Sequence, residues 1–360
     1  MNTDRYNRQI ILPEIGGEGQ RRLTTAKVLV VGAGGLGCPV LQYLAAAGIG
    51  LLGIIDHDRI DITNLQRQIL FNTSDAGQPK AQIAQNRLQA LNPDITIKAY
   101  PEELSDRNAS ELFAAYDVIV DCTDNFSAKF LINDVAVKLG KAVVYGAIQG
   151  FEGQVAVFDA AQGPCYRCLH PRPPRGVILN CAESGVIGAL AGMIGTIQAM
   201  EVIKLIIGHE SFQSLYGNLL IIDSKTMEVS HLTIPKSGNC PVCSLSAAEI
   251  VPHYTSPVCF SAIVREIDNS DLPTLSGCVM IDVREHEEWD QGHIPEALHL
   301  PLSALNRDPE IFKPYRHDSC VLYCQRGLRS QKAAEILLQA GFSDIYSLKG
   351  GYEAWLLTKS

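Results

Sequence analysis

Three glycines near the N-terminus have the spacing of a phosphate-binding turn. Gly32, Gly34 and Gly37 form a G-x-G-x-x-G pattern directly after the uniformly apolar run VLVV. Such a run favours a strand buried on both faces of a parallel sheet, and Pro39 can occupy the first turn of the helix that follows. Glycines let the backbone approach phosphate closely, while a helix N-terminus offers unpaired N–H donors. The pattern therefore predicts half of a nucleotide-binding α/β fold.

A carboxylate and a polar segment follow the next predicted strand, LLGII. Asp56 lies about 20 residues beyond the glycines, the usual distance to an acid that binds a ribose hydroxyl. The segment DHDRIDITNLQRQ then places Asn64, Gln66 and Arg67 just beyond this acid. Polar residues of this kind are expected in a site that holds a triphosphate and brings a carboxylate to its α-phosphate. Arg67, and Lys80 in GQPKAQ, can stabilise charge that develops on phosphate oxygens.

Two other nucleotide-site classes are compatible with parts of this pattern. The glycines and Asp56 alone suit an NAD-dependent oxidoreductase, but a dinucleotide site leaves NLQRQ without a role. A P-loop enzyme is excluded because no G-x-x-x-x-G-K-[ST] sequence occurs. A triphosphate site is therefore the preferred interpretation.

A further acidic residue follows another predicted strand, 115–121. Asp124, in DCTDN, lies where the carboxyl ends of parallel strands gather, so it could hold a magnesium ion that bridges the phosphates. The alternative is that Asp124 only caps the next predicted helix, 128–139.

The cysteines suggest metal binding and thiol chemistry. The chain has 11 cysteines and no secretory signal at its N-terminus, which indicates a reducing compartment and predicts a cytoplasmic protein. Cys165-x-x-Cys168 and Cys240-x-x-Cys243 can each fill two corners of a tetrahedral structural zinc site. Redox disulfides within each pair, or unconnected buried thiols, are the alternatives.

Two further cysteines are placed for thiol chemistry. Cys181 follows a Pro- and Arg-rich loop, 163–180, that we predict to cross over the nucleotide site, and it precedes an apolar helix. A helix N-terminus lowers a thiol pKa, although a buried structural cysteine is an equal alternative. In a second α/β pattern that starts near Cys259, Cys324 follows a strand and leads into the loop QRGLRS, where Arg326 and Arg329 add positive potential. This position is typical of a reactive thiolate.

Composition excludes several classes of partner. A net charge of −9 without a long basic run argues against nucleic acid. The most apolar segment, 185–200, is too short to span a bilayer and is predicted to be a buried helix, so no membrane role is expected.

The motifs together resemble a known family. RYNRQIIL, GAGGLG, DHDRIDITNLQRQ, GQPKA, DCTDN, GQVAVF, CYRC, CAESGVIG and CPVC occur in order over 6–244. They resemble the adenylyltransferases of the ubiquitin-activating-enzyme-like family (MoeB/ThiF type), which activate ubiquitin-like sulfur carriers for molybdopterin or thiamine synthesis. The C-terminal motifs IDVRE, GHIPEALHLP, CQRGLRS and LKGGYEAW resemble a single rhodanese domain.

The resemblance implies an α/β fold in two domains. A Rossmann-like adenylation domain with a mixed sheet and a structural zinc site is expected over 1–250, a linker over 251–258, and a small α/β rhodanese domain over 259–360. The implied ATP-binding residues are Gly32, Gly34, Gly35, Gly37, Asp56, Thr63, Asn64, Leu65, Gln66, Arg67, Lys80, Asp124 and Asn125. The implied catalytic residues are Arg8, Arg67, Lys80, Asp124, Cys181 and Cys324.

The resemblance also implies a reaction and its partners. With ATP and magnesium, the first domain would adenylylate the C-terminal glycine of a carrier (MoaD/ThiS type) that ends in Gly-Gly. A persulfide on Cys324, charged by an upstream donor such as a cysteine desulfurase, would then form a thiocarboxylate, with Cys181 as the second thiol. A homodimer is implied, in which Arg8 reaches the neighbouring active site. Molybdopterin synthesis is the first choice of pathway; thiamine or another sulfur pathway, and a carrier-binding scaffold with sulfurtransferase activity only, are the alternatives.

Overall fold

The computed structural model describes residues 3–172, 185–252, 264–272, 277–316, 318–339, 342 and 344–358. These residues form two compact units, the first up to residue 252 and the second from residue 264 onward. Each unit has its own sheet and its own hydrophobic core.

The first unit alternates helices with strands, as predicted. Its helices are α1 Thr3–Ile10, α2 Gly16–Thr25, α3 Gly37–Ala47, α4 Lys80–Leu91, α5 Ala109–Ala114, α6 Phe126–Leu139, α7 Tyr166–Leu169 and α8 Gly188–Ile207. Its strands are β1 Lys27–Val31, β2 Leu51–Ile55, β3 Thr96–Tyr100, β4 Val118–Asp121, β5 Ala142–Gln149, β6 Glu152–Phe158, β7 Asn218–Asp223 and β8 Glu228–Thr233.

The eight strands of the first unit form one mixed sheet. Their order is β3-β2-β1-β4-β5-β6-β7-β8, parallel from β3 to β5 and antiparallel from β5 to β8. Val31 at the end of β1 pairs with Ile55 of β2 on one side and with Asp121 of β4 on the other. The loops that leave these three strands therefore start from the same edge of the sheet, where ligands bind in open α/β sheets.

Both faces of this sheet are covered. Val28 and Val30 of β1 pack in a core with α3, α4 and α8, while Leu29 and Val31 pack in a second core with α5 and α6. Successive side chains of a strand point to opposite faces, so an uninterrupted apolar run is the expected sequence of a strand covered by helices on both sides.

The apolar helix α8 is longer than the sequence predicts. It continues past residue 200 because Glu201 and Lys204 pair with each other, and Glu201 also accepts a hydrogen bond from the Leu215 N–H at 3.0 Å. By length and composition alone, its 20 residues are sufficient to cross a membrane, so the argument that this segment is too short is wrong. Half of its most apolar window is buried inside the unit, where α8 packs on α3 and β5, so the membrane indication is weak.

One stretch near the cysteine pairs also differs from the sequence prediction. Instead of a continuous loop over 163–180, a helical turn, α7, joins Cys165 to Cys168, and 173–180 lies outside the described residues. After the second pair, 244–249 is exposed, and Ile250 is again buried against the cysteines. A linker over 251–258 stays a prediction.

The second unit is a smaller α/β structure. Its strands are β9 Arg265–Ile267, β10 Val279–Asp282, β11 Leu298–His299, β12 Cys320–Tyr323 and β13 Ile345–Leu348, and its helices are α9 His286–Asp290, α10 Leu302–Arg307, α11 Leu328–Gln339 and α12 Gly351–Leu357. The strands lie parallel in the order β11-β10-β12-β13-β9. Strand β12, which delivers Cys324, is central and fully buried.

A buried ion pair braces this unit. Asp282 and Arg284 are 0% and 2% exposed, and the guanidinium donates three hydrogen bonds of 2.7–3.0 Å to the carboxylate. Arg284 also donates to the Gly292 carbonyl at 2.7 Å and to Oε1 of Gln325 at 3.0 Å. The pair thus connects the end of β10 to the loop after β12.

Replacing Asp282 with Asn is expected to lower the free energy of unfolding of the second unit by about 3–5 kcal/mol, because it leaves a buried guanidinium without its countercharge. The chain's 2 tryptophans, Trp289 and Trp355, both lie in this unit, so tryptophan fluorescence during urea unfolding reports on it alone. The control is Asp268→Asn. Asp268 pairs with Lys349 at 3.6 Å with both side chains 60% exposed, and its loss should change stability by less than about 1 kcal/mol. Equal losses in the two variants would contradict the expectation.

Candidate functional site

The glycine turn after β1 is formed by close backbone contacts. Gly32 has a φ of +95°, and a Cβ on Gly37 would lie 2.0 Å from the Gly32 carbonyl oxygen, where no side chain fits. At Gly34 the surroundings are open: the nearest atom to such a Cβ is Nε2 of Gln68, at 3.8 Å. The first and third glycines therefore shape the turn, and the second leaves the space through which a phosphate can approach the backbone.

Asp56 holds this turn from the end of β2. Its Oδ2 accepts a hydrogen bond from the Ala33 N–H at 2.7 Å, and its Oδ1 accepts one from the Asp58 N–H at 2.8 Å. Burial raises the pKa of the Asp56 carboxyl, although the nearby Lys80 ammonium and the two amides act in the opposite direction. Each carboxylate oxygen can accept more than one hydrogen bond, so these two contacts leave Asp56 able to accept another. Its contact with a ribose hydroxyl stays a prediction.

Lys80 is held beneath the site rather than extended into solvent. It is 3% exposed, and its Nζ donates to Oδ2 of Asp58 at 2.8 Å. Its backbone N–H donates to the Asp58 carbonyl at 3.0 Å, which fixes the start of α4 against the polar segment. The ammonium is therefore a positioned charge close to Asp56.

The polar segment folds back over the glycine turn. A short 3₁₀ turn, Ile62–Asn64, is capped by Asp61, whose Oδ1 accepts from the N–H and the hydroxyl of Thr63. Nη2 of Arg67 then donates to Oδ1 of Asn64 at 2.7 Å. The Arg67 side chain lies against the turn, with Cγ 3.4 Å from the position a Cβ would take on Gly35. Arg67, and Asn64 bonded to it, thus lie beside the glycine turn, whereas nucleotide binding by Thr63 stays a prediction.

Leu65 and Gln66, the other two predicted residues of the polar segment, have different surroundings. Leu65 packs against the core beneath the segment. Gln66 lines a groove of about 600 Å³ together with Gly150, Phe151 and residues 185–189. A Cβ on Gly188 would lie 2.2 Å from the Gln66 carbonyl oxygen, so the start of α8 touches the polar segment directly.

Asp124 is exposed at the same edge of the sheet. β4 ends at Asp121, and Cys122 N–H continues the ladder by donating to the Val31 carbonyl at 2.9 Å. The following helix α6 is capped by Asn125, whose Oδ1 accepts from the Ala128 N–H at 2.8 Å. The alternative role of Asp124 as a helix cap is therefore wrong, and its carboxylate remains available at the site.

Two predicted catalytic residues are not brought to this edge by the described contacts. Arg8 is exposed on α1, and its action on a neighbouring active site stays a prediction. Cys181 lies outside the described residues.

The four motif cysteines do come together. Sγ atoms of Cys165 and Cys240 are 3.6 Å apart, those of Cys168 and Cys243 are 3.5 Å apart, and all four lie within 4.8 Å of one another. A tetrahedral zinc ion with Zn–S bonds of about 2.3 Å sets its sulfurs roughly 3.8 Å apart. The cluster therefore fits zinc. Its closest sulfur contacts join one motif to the other, which does not favour a disulfide within each pair.

A hydrogen-bond donor also faces this sulfur cluster. The Ser237 backbone N–H donates to Sγ of Cys168 at 3.5 Å. Burial acts to raise the pKa of the Cys168 thiol, but this hydrogen bond and others outweigh it and lower the pKa. Burial instead raises the pKa of the Cys165 and Cys243 thiols, so the cluster favours a thiolate at Cys168 and would need a bound metal to hold the other sulfurs in that form.

In the second unit, Cys324 lies at the start of its loop with its sulfur turned inward. It is 1% exposed, and its Sγ accepts a hydrogen bond from the Gly327 N–H at 3.1 Å, with the Ser330 hydroxyl 3.7 Å away. Tyr352 N–H and Glu353 N–H, at the start of α12, donate to the carbonyls of Cys324 and Gln325. The loop is therefore fixed from both sides.

The two loop arginines are less available than the sequence predicts. Arg329 forms a bidentate ion pair with Glu288, with both distances 2.6 Å, and this pairing lowers the pKa of the Glu288 carboxyl. Arg326 pairs with Glu353 at 3.0 Å. Each positive charge is partly offset by a carboxylate, but Arg329 still interacts with the Cys324 thiol. The Arg329 guanidinium, the Gly327 amide and the Ser330 hydroxyl can therefore all stabilise negative charge on the Cys324 sulfur.

Comparison with known protein families agrees with this geometry. Residues 6–242 match the model described as the ThiF family, and residues 267–358 match the model described as the Rhodanese-like domain. The chain belongs to the ThiF family. The predicted resemblance is confirmed, and so is the α/β fold class with a Rossmann-like mixed sheet and a rhodanese domain.

Curated relatives of this ThiF-family chain share both parts. A protein of Mycobacterium tuberculosis named probable adenylyltransferase/sulfurtransferase MoeZ is 41% identical over 98% of this chain and 92% of its own length. Adenylyltransferase and sulfurtransferase MOCS3 of Mus musculus is 36% identical over 98% of this chain and 84% of its own length. A sulfur carrier protein adenylyltransferase of Thermus thermophilus is 50% identical but covers 67% of this chain and 90% of its own length.

Solved structures support the fold of the ThiF part. Escherichia coli MccB in complex with ATP has a TM-score of 0.58 at 24% identity, over 68% of this chain and 75% of its own. The complex of MccB with MccA-N7isoASN has a TM-score of 0.60 at 23% identity, over 68% of this chain and 75% of its own. At these identities the likeness shows the shared fold.

Side chains of helix α6 connect the end of β4 to the turn between Cys165 and Cys168, and the sequence analysis did not identify them. Lys129 forms a buried ion pair with Asp121 at 3.2 Å, at the end of the strand before Asp124. Asn133 accepts from the Tyr166 N–H at 2.8 Å, and Nε of Arg167 donates to Asp134 at 3.0 Å, which ties α6 to the turn between Cys165 and Cys168. The available signal was the presence of lysine, asparagine and aspartate in an otherwise apolar helix.

Replacing Cys165 with Ser is expected to remove zinc from the purified protein, because a closed structural site needs all four thiolates. Elemental analysis should give about one zinc ion per chain for the wild type and almost none for this variant. The control, Cys278→Ser, alters a partly buried cysteine of the second unit and should retain the wild-type zinc content. A zinc-free wild type prepared with excess zinc, or unchanged zinc in Cys165→Ser, would rule out this site.

Proposed function

We propose that this chain adenylylates the C-terminal glycine of a small ubiquitin-like sulfur carrier and then converts it to a thiocarboxylate with sulfur from Cys324. The observation that carries the proposal is the open approach to Gly34, bordered by Asp56, Arg67 and the buried ammonium of Lys80. The names of relatives that extend over 98% of the chain support the same pair of activities.

In the first step, a carboxylate oxygen of the carrier attacks the α-phosphorus of ATP. A mixed anhydride with AMP forms, and pyrophosphate leaves with the electrons of the broken P–O bond. Arg67 and Lys80 lower the energy of this step by stabilising negative charge on the phosphates. No general base is needed, because a carboxylate is already a nucleophile. Magnesium, which the exposed carboxylate of Asp124 would help to hold, supplies further charge neutralisation when bound.

In the second step, the terminal sulfur of a Cys324 persulfide attacks the acyl carbon and displaces AMP. An acyl persulfide forms, in which the carrier is bonded through two sulfurs to the enzyme. A second thiolate, for which Cys181 is our candidate, attacks the Cys324 sulfur and releases the carrier thiocarboxylate. The enzyme retains a disulfide between the two cysteines, so atoms and electrons balance. The Gly327 N–H, 3.1 Å from Sγ of Cys324, is placed to stabilise negative sulfur.

We propose molybdopterin synthesis as the pathway, with thiamine or another sulfur pathway as the alternative. The sulfur of the Cys324 persulfide would come from an upstream donor such as a cysteine desulfurase. A cytoplasmic location is supported by the set of thiols that the reaction and the zinc cluster need in reduced form.

The Cys324→Ala variant separates the two steps. We expect it to retain carrier-dependent ATP–pyrophosphate exchange at about the wild-type rate and to lose thiocarboxylate formation, because the sulfur nucleophile acts only after adenylylation. Exchange is measured with labelled pyrophosphate and candidate carriers that end in Gly-Gly, and the carrier that supports exchange identifies the pathway. Thiocarboxylate is measured by the mass of the carrier.

The matched control for Cys324 is Cys320→Ala, which removes a buried thiol from the strand that precedes Cys324 and should preserve both steps if the fold is retained. Loss of exchange together with thiocarboxylate in folded Cys324→Ala would contradict the serial scheme. No exchange with any carrier in the wild type would leave sulfurtransfer by Cys324 as the function and the first unit as a binding scaffold.

We propose that the protein acts as a homodimer in which Arg8 reaches the partner's nucleotide site. Arg8 is exposed on α1, which is fixed to its own subunit through Tyr6 and Gln9. Its guanidinium is therefore presented outward on a firmly attached helix, where it could supply a phosphate contact in trans.

Mixing two inactive variants tests this arrangement. Arg8→Ala and Arg67→Ala are each expected to lose at least about tenfold in exchange rate, because each removes a charge from the phosphates. Mixed heterodimers contain one site with both arginines intact, so the mixture should recover up to about a quarter of wild-type activity. As the control, a mixture of Arg5→Ala and Arg67→Ala should gain nothing beyond the activity of the Arg5 variant. Absence of recovery after verified subunit exchange would contradict action across subunits.

A further inference from the structure

A buried serine of strand β13 forms its side-chain hydrogen bond with another buried serine. Ser347 is 0% exposed, and its Oγ lies 2.9 Å from Oγ of Ser330, which is also 0% exposed. Removing a hydroxyl from water is unfavourable unless it is hydrogen-bonded, and an apolar side chain is the usual occupant of such a position. A serine at position 347 therefore indicates that its hydroxyl has a use at Ser330.

The register of the sheet explains why these two hydroxyls meet beside the reactive cysteine. Ser347 of β13 pairs with Leu322 of β12, two residues before Cys324. Side chains two residues apart on a strand share a face, and Leu322 and Cys324 pack in the same core as Ala333 of α11. Ser330 belongs to the first turn of that helix. The hydroxyl of Ser347 therefore lies on the face of the sheet that α11 covers.

The partners of each hydroxyl determine where its proton can go. A serine hydroxyl donates one hydrogen bond and can accept two. Within the described residues, the Ser347 hydroxyl reaches only Oγ of Ser330, so it donates there. The Ser330 proton then has two possible acceptors, the Gly327 carbonyl at 2.9 Å and the Cys324 sulfur at 3.7 Å. The Gly327 carbonyl also accepts from the Gln331 N–H at 3.1 Å, so it stays hydrogen-bonded when the Ser330 proton turns to the sulfur.

We propose that Ser347 is a positioning residue for the Cys324 thiolate: its hydroxyl donates to Ser330 and so supports donation from Ser330 to the negatively charged sulfur. The inference rests on the proposed function, because it adds a residue to the same sulfur-transfer site. A hydroxyl that accepts a hydrogen bond becomes a better donor, so Ser347 strengthens the bond from Ser330. A hydrogen bond to a charged acceptor is stronger than one to a neutral carbonyl, so ionisation of Cys324 draws the Ser330 proton away from Gly327.

The rate at which iodoacetamide alkylates Cys324 tests this role, because the thiolate is the form that reacts, displacing iodide as the C–S bond forms. Ser347→Ala is expected to slow the reaction about threefold at pH 7, through the weakened bond from Ser330. The difference should disappear at high pH, where the thiol is ionised in both proteins. Arg329, which is paired with Glu288 and interacts with Cys324, is unchanged in both. The rate is measured by the mass of the peptide that contains Cys324.

Two further variants determine whether Ser347 acts through Ser330. Ser330→Ala should slow alkylation about tenfold at pH 7, because it removes the direct donor to the sulfur. Adding Ser347→Ala to this variant should have no further effect, because the group through which Ser347 acts is gone.

Ser319→Ala is the matched control. Ser319 is half-buried just before β12, and its hydroxyl donates to Asp344 at the opposite end of this strand from Cys324. Cys324 in this variant should be alkylated at the wild-type rate at every pH.

The outcomes separate the possible failures. Wild-type alkylation of Ser347→Ala at pH 7, equal slowing at every pH, or additional slowing in the double variant would each overturn the role of Ser347 and leave the proposed function intact. A wild-type protein in which Cys324 reacts no faster than the buried Cys320 would overturn both. Slowing that is confined to low pH and absent from the Ser330→Ala background supports the role of Ser347.

Discussion

The contact between Gly37 and the Gly32 carbonyl is the constraint around which the first unit is arranged. Any side chain at position 37 would occupy the space of that oxygen, so the turn from β1 into α3 exists only with glycine there. The tight turn directs the Ala33 N–H to Asp56, which ties the end of β2 to the end of β1. It also gives Arg67 a flat backbone surface to lie against at Gly35. The close backbone packing in this turn therefore sets the positions of Asp56 and Arg67.

The two units stabilise negative charge by different means. The nucleotide edge has a guanidinium at Arg67 and an ammonium at Lys80, and the latter is buried with a carboxylate beside it. The rhodanese loop has two arginines that pair with Glu288 and Glu353, and the Cys324 sulfur also receives hydrogen bonds from the Gly327 N–H and the Ser330 hydroxyl. Triphosphate has several charges that are spread over many atoms, whereas a thiolate or persulfide concentrates one charge on sulfur. Several charged side chains suit the first, and a few neutral donors beside one partly neutralised guanidinium suit the second.

Much of the fold follows from local sequence, and the exceptions have physical causes. The strand LLGII is predicted with its observed ends, Leu51 and Ile55, because its apolar run lies between Gly50 and the acidic Asp56. The glycine turn and the cysteine cluster are likewise set by spacing. Sequence could not show that α8 continues through Glu201, since the partners that neutralise this charge are tertiary or on the same face. Nor could it show which residue of DCTDN caps α6, because this depends on side-chain directions.

Helix α6 has a consequence for how the first unit opens. Its first turn is bonded to the end of β4 through Lys129 and the buried Asp121, its middle is bonded to the turn between Cys165 and Cys168, and Lys138 near its end donates to the Ile250 carbonyl at 2.9 Å. A helix held at these three places moves as one body, so the metal-ligand turn and one wall of the nucleotide edge belong to a single cooperative unit. Amide protons along α6 should exchange together, and they should do so no faster than those of the cysteine turn.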